Sequence, residues 1–351
     1  MKPTNPLKQI LLTCSSRLEG AWRFHPVPRN AQPPFREMKP TNPLKQILLT
    51  CLLALAPALG WTQTPKIFLV THGVVSDPFW AVVKNGAEAA GKETKTDVEY
   101  RSPEKFDMVA MAQLIDAAVA AKPDALIVTI PDPDAVGRSI EAAVKAGIPV
   151  ISVNSGADVF QKFGIRMHIG QEEYVAGKGA GERMKAAGIK KGIVISHEVG
   201  NTALDLRAKG FSDGLGQKAE VVPVNGADQT AAQNAVAAYL QSHPDVDGIL
   251  ALGIFSAEPT LQALSSQGKT GKIKFGTFDL SPAVLQALAG KEMDFAIDQQ
   301  QYLQGYLPVI ILANYLKFGL FPATDRIPTG PGFVTPENAK QVIELTKRGI
   351  R

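Results

Sequence analysis

The sequence predicts an α/β protein made of two doubly wound parallel-sheet lobes. Three observations carry that prediction. From Lys66 onward short β-rich runs alternate with longer helical ones, which is the pattern of parallel strands joined by helical crossovers. The alternation restarts at Glu172 after five strand-like runs. The chain has 351 residues, 45% apolar and 20% charged, the size and composition of about two soluble domains.

The first set begins with KIFLVTHG (66–73), a buried strand, followed by PFWAVVKNGAEAAGKET (78–94), whose apolar residues recur at helical spacing. VEYRS (98–102) is a second strand and DMVAMAQLIDAAVAAK (107–122) a helix ending before Pro123. ALIVTI (125–130) is a third strand. Asp132 or Asp134 then caps a helix that stops at Gly147, and PVISVN (149–154) and MHIG (167–170) complete the first sheet. In the second set the strands are GIVISH (192–197), EVVPVN (220–225), DGILALG (247–253), KIKFGTFD (272–279) and DFAIDQ (294–299), with helices between them and a long one, QYLQGYLPVIILANYLKFG (301–319), after the last. The small residues of GKGAGERM (177–184) lack dinucleotide-loop spacing and predict a closely packed helix instead.

Ahead of these sets lies an anomaly. MKPTNPLKQILLTC occupies residues 1–14 and again 38–51. Only the second copy runs into an apolar stretch with small residues behind it, so residues 38–60 have the layout of a secretory leader, with cleavage expected after Ala58 or Gly60. Residues 1–37 are then an upstream or artefactual extension. Residues 61–351 hold 29 Lys and Arg against 31 Asp and Glu and no cysteine. The basic excess of the whole chain therefore belongs to residues 1–60 and argues for no nucleic-acid partner, and the mature chain has no thiol ligand, thiol nucleophile or disulfide.

In doubly wound sheets, ligands collect at the carboxyl ends of the strands. Here those ends carry His72-Gly73, Asp132, Asn154-Ser155, His197-Glu198, Gly253, Asp279 and Gln299, and Asp77-Pro78-Phe79-Trp80 follows the first strand. Carboxylates and amides bind neighbouring hydroxyls, and an aromatic face takes the C–H side of a sugar ring. Taken singly, each residue has a structural reading of equal or greater weight: Asp77 as a helix cap, Phe79 and Trp80 as core. Gly268-Lys269-Thr270 lacks the first glycine of a phosphate loop, no histidine pair has metal-ligand spacing, and neither a nucleophile nor an acid–base dyad stands out. No enzyme chemistry, cofactor or metal is expected.

From Lys66 to about Phe333 the chain resembles the periplasmic sugar-binding proteins of ABC importers, the group of ribose-, allose- and autoinducer-2-binding proteins. SDPFWAVVKNGAEAA, ALIVTIPDPDAVGRSIEAAVKAGIPVISVN, LRAKGF, HPDVDGILALG, KFGTFD and DFAIDQQQYLQG carry the resemblance, in that family's order. It implies Rossmann-like lobes joined by a three-crossing hinge, near Gly170-Gln171, Gln299-Gln300 and Asp325–Pro328. Residues 61–170 with 300–325 would form the N-terminal lobe, and 171–299 with 326–351 the C-terminal lobe. It also implies a small neutral sugar or polyol as ligand, membrane permease subunits as partners, a periplasmic location and a monomer. Presentation to a chemoreceptor or regulator is the alternative role, and a LacI-type repressor sensor domain a more distant one. The implied ligand residues are Asp77, Phe79, Trp80, Asn154, Asp279 and Gln299, joined by His197, Asn201 and Asp205. Two basic positions of the ribose-binding pattern fall on Ser155 and Asp205, the second-lobe amide falls near Gly253, and the loop after the first strand is about two residues longer. The pocket is thus expected to be acid-rich and poor in arginine, suited to a sugar other than ribose, a sugar alcohol or an amine-bearing ligand.

Overall fold

The computed structural model describes residues 64–351 apart from Val75. The expected leader and the doubled start lie outside the described residues. The first sheet collects β1 (Lys66–Val70), β2 (Asp97–Arg101), β3 (Ala125–Val128), β4 (Val150–Val153) and β5 (His168–Gly170). Between them run α1 (Pro78–Thr94), α2 (Met108–Ala120) and α3 (Pro133–Lys145). The second sheet holds β6 (Gly192–Ser196), β7 (Glu220–Pro223), β8 (Gly248–Ala251), β9 (Lys274–Phe278) and β10 (Phe295–Asp298). Its helices are α4 (Glu173–Ala186), α5 (Thr202–Leu215), α6 (Gln229–Ser242), α7 (Ile254–Ser266) and α8 (Pro282–Ala289), while α9 (Gln301–Phe318) returns to the first lobe. Two three-residue strands, β11 (Arg326–Pro328) and β12 (Gly332–Val334), and a last helix, α10 (Ala339–Lys347), end the chain.

The sheets have matching orders, β2-β1-β3-β4-β5-β11 and β7-β6-β8-β9-β10-β12. β1 and β6 therefore occupy equivalent places, as do β4 and β9, and β5 and β10. All pairings are parallel except β12 on β10. Strand alternation splits each core in two. Ile67, Leu69 and Ile127 face α1 and α9, while Phe68, Val70, Leu126 and Val128 face α2 and α3. Asp77, Asp107, Asp132, Asn201, Asp228 and Ser281 cap six helices by accepting from first-turn N–H groups; of the two candidates ahead of α3, Asp132 is the cap.

The crossings run through residues 171–172, 299–300 and 329–331. The third differs from expectation. Residues 326–328 pair with β5 in the first sheet, so the N-terminal lobe extends to Pro328 and not to Asp325. Three residues are too few to show a period, and a proline is tolerated at an edge strand, so neither signal marks β11 in the sequence. Glutamines tie the crossings together. Gln304 Nε2 donates to Thr329 Oγ1 at 3.1 Å and Gln300 Nε2 to the Thr329 carbonyl at 2.8 Å.

The small residues of α4 act as the sequence expects. Gly177 and Gly181 lie against the carbonyls of Arg207 and Phe211 in α5, and a Cβ at either would fall well inside contact distance of that backbone. Gly181→Leu is therefore expected to force the two helices apart and lower the unfolding free energy by about 1–3 kcal/mol, read as a drop in thermal midpoint. An unchanged midpoint would mean that the helices do not pack this closely.

Candidate functional site

The two sheets point their carboxyl ends at each other across one cleft. Its cavity is walled by His72, Asp77, Phe79, Trp80 and Asn154 from the first lobe. His197, Glu198, Asn201, Ala203, Leu204, Arg207, Leu252 and Asp279 come from the second, with Gln299 from the hinge. The lobes also touch directly. Thr202 donates its N–H and its hydroxyl to the Pro131 carbonyl at 2.9 and 3.0 Å, and His72 Nε2 stands 3.8 Å from Glu198 Oε2.

The matching sheet orders supply these residues in equivalent pairs. His72 follows β1 and His197 follows β6. Asp77 caps α1 and Asn201 caps α5. Gln171 follows β5 and Gln299 follows β10. Asn154 after β4 and Asp279 after β9 both hold left-handed backbone, at φ 62° and φ 70°. Asn and Asp tolerate that region better than other side-chain-bearing residues, yet it still costs energy and concentrates at ligand sites. Here it turns both side chains off their strands into the cavity.

Hydrogen bonds fix most of the wall. Phe79 N–H donates to Asp77 Oδ1 at 2.9 Å, Asn201 Nδ2 to Glu198 Oε2 at 2.7 Å, and Gln299 Nε2 to Asp279 Oδ1 at 2.5 Å. Asn154 Nδ2 reaches Gln304 Oε1 at 3.1 Å, which links the cavity to the hinge glutamines. Trp80 packs edge-on to both His72 and Phe79. Phe79 and Trp80 are only 3% and 5% exposed, so each belongs to the core and to the cavity wall at once.

Of the nine sequence-predicted residues, eight line the cavity and Asp205 does not. Asp205 is exposed. Helical geometry explains it. Ala203, Leu204 and Arg207 share the inward face of α5, and Asp205 projects from the other side. The expectation of an arginine-poor pocket is corrected at the same helix, because Arg207 reaches the wall. Its Nε and Nη2 donate to the two Glu173 carboxylate oxygens at 2.6 and 3.0 Å, and its Nη1 to the Leu252 carbonyl at 2.7 Å. Sequence reasoning also left His72 and Glu198 at the strand ends without a role. His197 fills space that Gly253 leaves open: a Cβ on Gly253 would collide with the imidazole.

Burial dominates the electrostatics. It pushes Asp77 up to about 8, helped by the Asp279, Glu198 and Glu258 carboxylates and opposed by the Phe79 N–H. Burial likewise raises Glu198 to about 7 and Asp279 to about 6, with Arg207 opposing both. Burial, reinforced by the Arg207 charge, lowers His72 and His197 to about 3. Burial pulls Arg207 down too, but Glu173 outweighs it and holds the guanidinium above its usual range.

Two α/β lobes with a three-crossing hinge and a polar cavity between them define a type I periplasmic binding fold. Residues 67–320 match the family described as periplasmic binding protein domain, and the chain belongs to it. It is 29% identical over 291 residues to a xylose/arabinose-binding protein of Sulfolobus acidocaldarius, spanning 78% of this chain and 72% of that one. It is 28% identical over 213 residues to the ribose import binding protein of Salmonella typhimurium, spanning 59% and 70%. Among solved structures, a carbohydrate transporter from Acidothermus cellulolyticus in complex with myo-inositol superposes with a TM-score of 0.78 at 34% identity, covering 82% of this chain and 100% of that one.

Proposed function

We infer that the chain is the solute-binding component of an ABC importer, working outside the cytoplasmic membrane, and that it captures a small sugar or polyol in the interlobe cavity and hands it to a permease. The observation that carries this reading is the convergence of acidic, amide and aromatic side chains from both lobes on one small cavity at the strand ends. A guest bound there touches both lobes only when they close, so it favours the closed state by its differential contacts, and closure is the signal a permease reads. Asp77, Asn154 and Asp279 accept from ring hydroxyls, and Phe79 or Trp80 covers the apolar face of the ring. Capture and release ask no chemistry of this wall. The carbohydrate guests named for the similar proteins, pentoses and myo-inositol, have the right chemistry for such a wall.

A thermal-shift screen against pentoses, hexoses and inositols tests the reading, since a guest that binds the native state raises its melting temperature. One stereochemical class is expected to do so, and no shift with any polyol would refute the reading. Asp279→Ala removes a charged hydrogen bond, worth about 1.5–3 kcal/mol, and should weaken the best guest about ten-fold or more by calorimetry. Unchanged affinity would remove Asp279 from the site.

A further inference from the structure

The cavity wall is rich in acceptors and short of donors. Its amide and guanidinium nitrogens are engaged within the protein: Asn154 Nδ2 on Gln304, Gln299 Nε2 on Asp279, Asn201 Nδ2 on Glu198, and Arg207 on Glu173 and the Leu252 carbonyl; among the described residues the Trp80 indole N–H is the clear donor left over in the wall. Oxygens are left over. Among the described residues, Asp77 Oδ2, Glu198 Oε1 and Asp279 Oδ2 meet no donor, while each partner oxygen of the same carboxyl is bonded. His197 adds another acceptor. Ser256 Oγ donates to the Gly253 carbonyl at 2.9 Å and so accepts from His197 Nδ1, 3.4 Å away, which leaves His197 Nε2 with a lone pair.

The charges are equally one-sided. Three carboxyls, Asp77 from one lobe and Glu198 and Asp279 from the other, line the cavity with one guanidinium. That guanidinium is already matched by Glu173, whose side chain is 2% exposed. Burying carboxylates without a cation is costly, and the raised positions of all three carboxyls express that cost.

We propose that the guest carries an ammonium group seated among Asp77, Glu198 and Asp279, so that the ligand is an amino-substituted polyol and not a wholly neutral sugar. This rests on the reading of the cavity as a sugar or polyol site and replaces only the neutrality of the guest. An ammonium brings three donors and no acceptor, the complement of this wall. Its hydrogen bonds to carboxylates are charge-assisted and about twice as strong as neutral ones. The remaining hydroxyls are served by Asn154 and His197, and Phe79 and Trp80 supply the apolar face.

The test is calorimetry at pH 7 on matched pairs that differ by one group: glucose and glucosamine, galactose and galactosamine, mannose and mannosamine, myo-inositol and its amino-deoxy counterpart. In the best-bound pair, the amine is expected to bind at least ten-fold tighter, and Glu198→Gln is expected to shrink that ratio. Neutral members that bind as well as or better than their amines would overturn the ammonium and leave the polyol site standing. Failure of both members of every pair would overturn the ammonium proposal, and would overturn the polyol reading as well only if the pentoses of the thermal-shift screen also fail. An amine preference untouched by Glu198→Gln and by Asp77→Asn would place the charge outside this carboxyl group and reject the proposal as stated.

Discussion

Arg207→Met is expected to lower the unfolding free energy by about 3–5 kcal/mol, because it leaves the Glu173 carboxylate buried without its cation. The loss is large because the pair is nearly sealed: the Arg207 and Glu173 side chains are 4% and 2% exposed. Gln171 Nε2 still donates to Glu173 Oε2 at 2.9 Å, but an amide does not neutralise a carboxylate. The guanidinium also joins four elements. It sits on α5, bonds Glu173 of α4, caps the Leu252 carbonyl beyond β8 and lies 4.3 Å over the Phe278 ring of β9. Glu173→Met combined with Arg207→Met removes both charges and should recover much of the loss, since apolar residues of similar volume often replace a buried ion pair without penalty. Urea unfolding of the two variants checks this. A single variant as stable as the parent would mean that the pair is dispensable to the second lobe.

Strand and helix alternation, a cap at Asp132 or Asp134 and the close helix packing at Gly177 and Gly181 were legible in the residues, because each is a local signal: a period, a side-chain acceptor, a missing Cβ. Much of the cavity was legible for a related reason. A parallel sheet delivers the residues after its strands to one end, so listing strand ends amounts to listing neighbours in space. The method failed where direction around a helix decides. Asp205 and Arg207 lie two positions apart in the same first turns of α5, yet one is exposed and the other walls the cavity. Matching columns to a family pattern moved the expected polar group to Asp205, whereas the helical face shared with Ala203 and Leu204 selects Arg207. The third crossing, β12 and α10 were not legible. β11 and β12 hold three residues each, and they exist only because β5 and β10 offer open edges to them.

Closure of the empty cleft is expected to depend on pH, with the protein most compact at mildly acidic pH and opening as the pH rises towards about 8.5. In the open cleft Asp77, Glu198 and Asp279 face water and titrate near the ordinary carboxylate range, about 4. In the closed cleft they are raised to about 8, about 7 and about 6. Between the open and closed values the closed state holds more protons, so closure takes protons up and loses stability as the pH climbs through the closed values. His72 and His197 act with the opposite sign. Burial holds them neutral in the closed cleft, at about 3, so below their ordinary range near 6.5 closure must strip them of protons. Arg207, held above its usual range by Glu173, stays charged across this window and drops out of the balance. The two sets cross in mild acid, and on the alkaline side only the carboxyls remain. Small-angle scattering of the ligand-free protein should therefore give a smaller radius of gyration near pH 5–6 than near pH 8.5, and Asp77→Asn together with Glu198→Gln should flatten that difference. A radius that shrinks as pH rises would mean that the carboxyls stay hydrated and charged in the closed cleft, and that the wall keeps water with or without a guest.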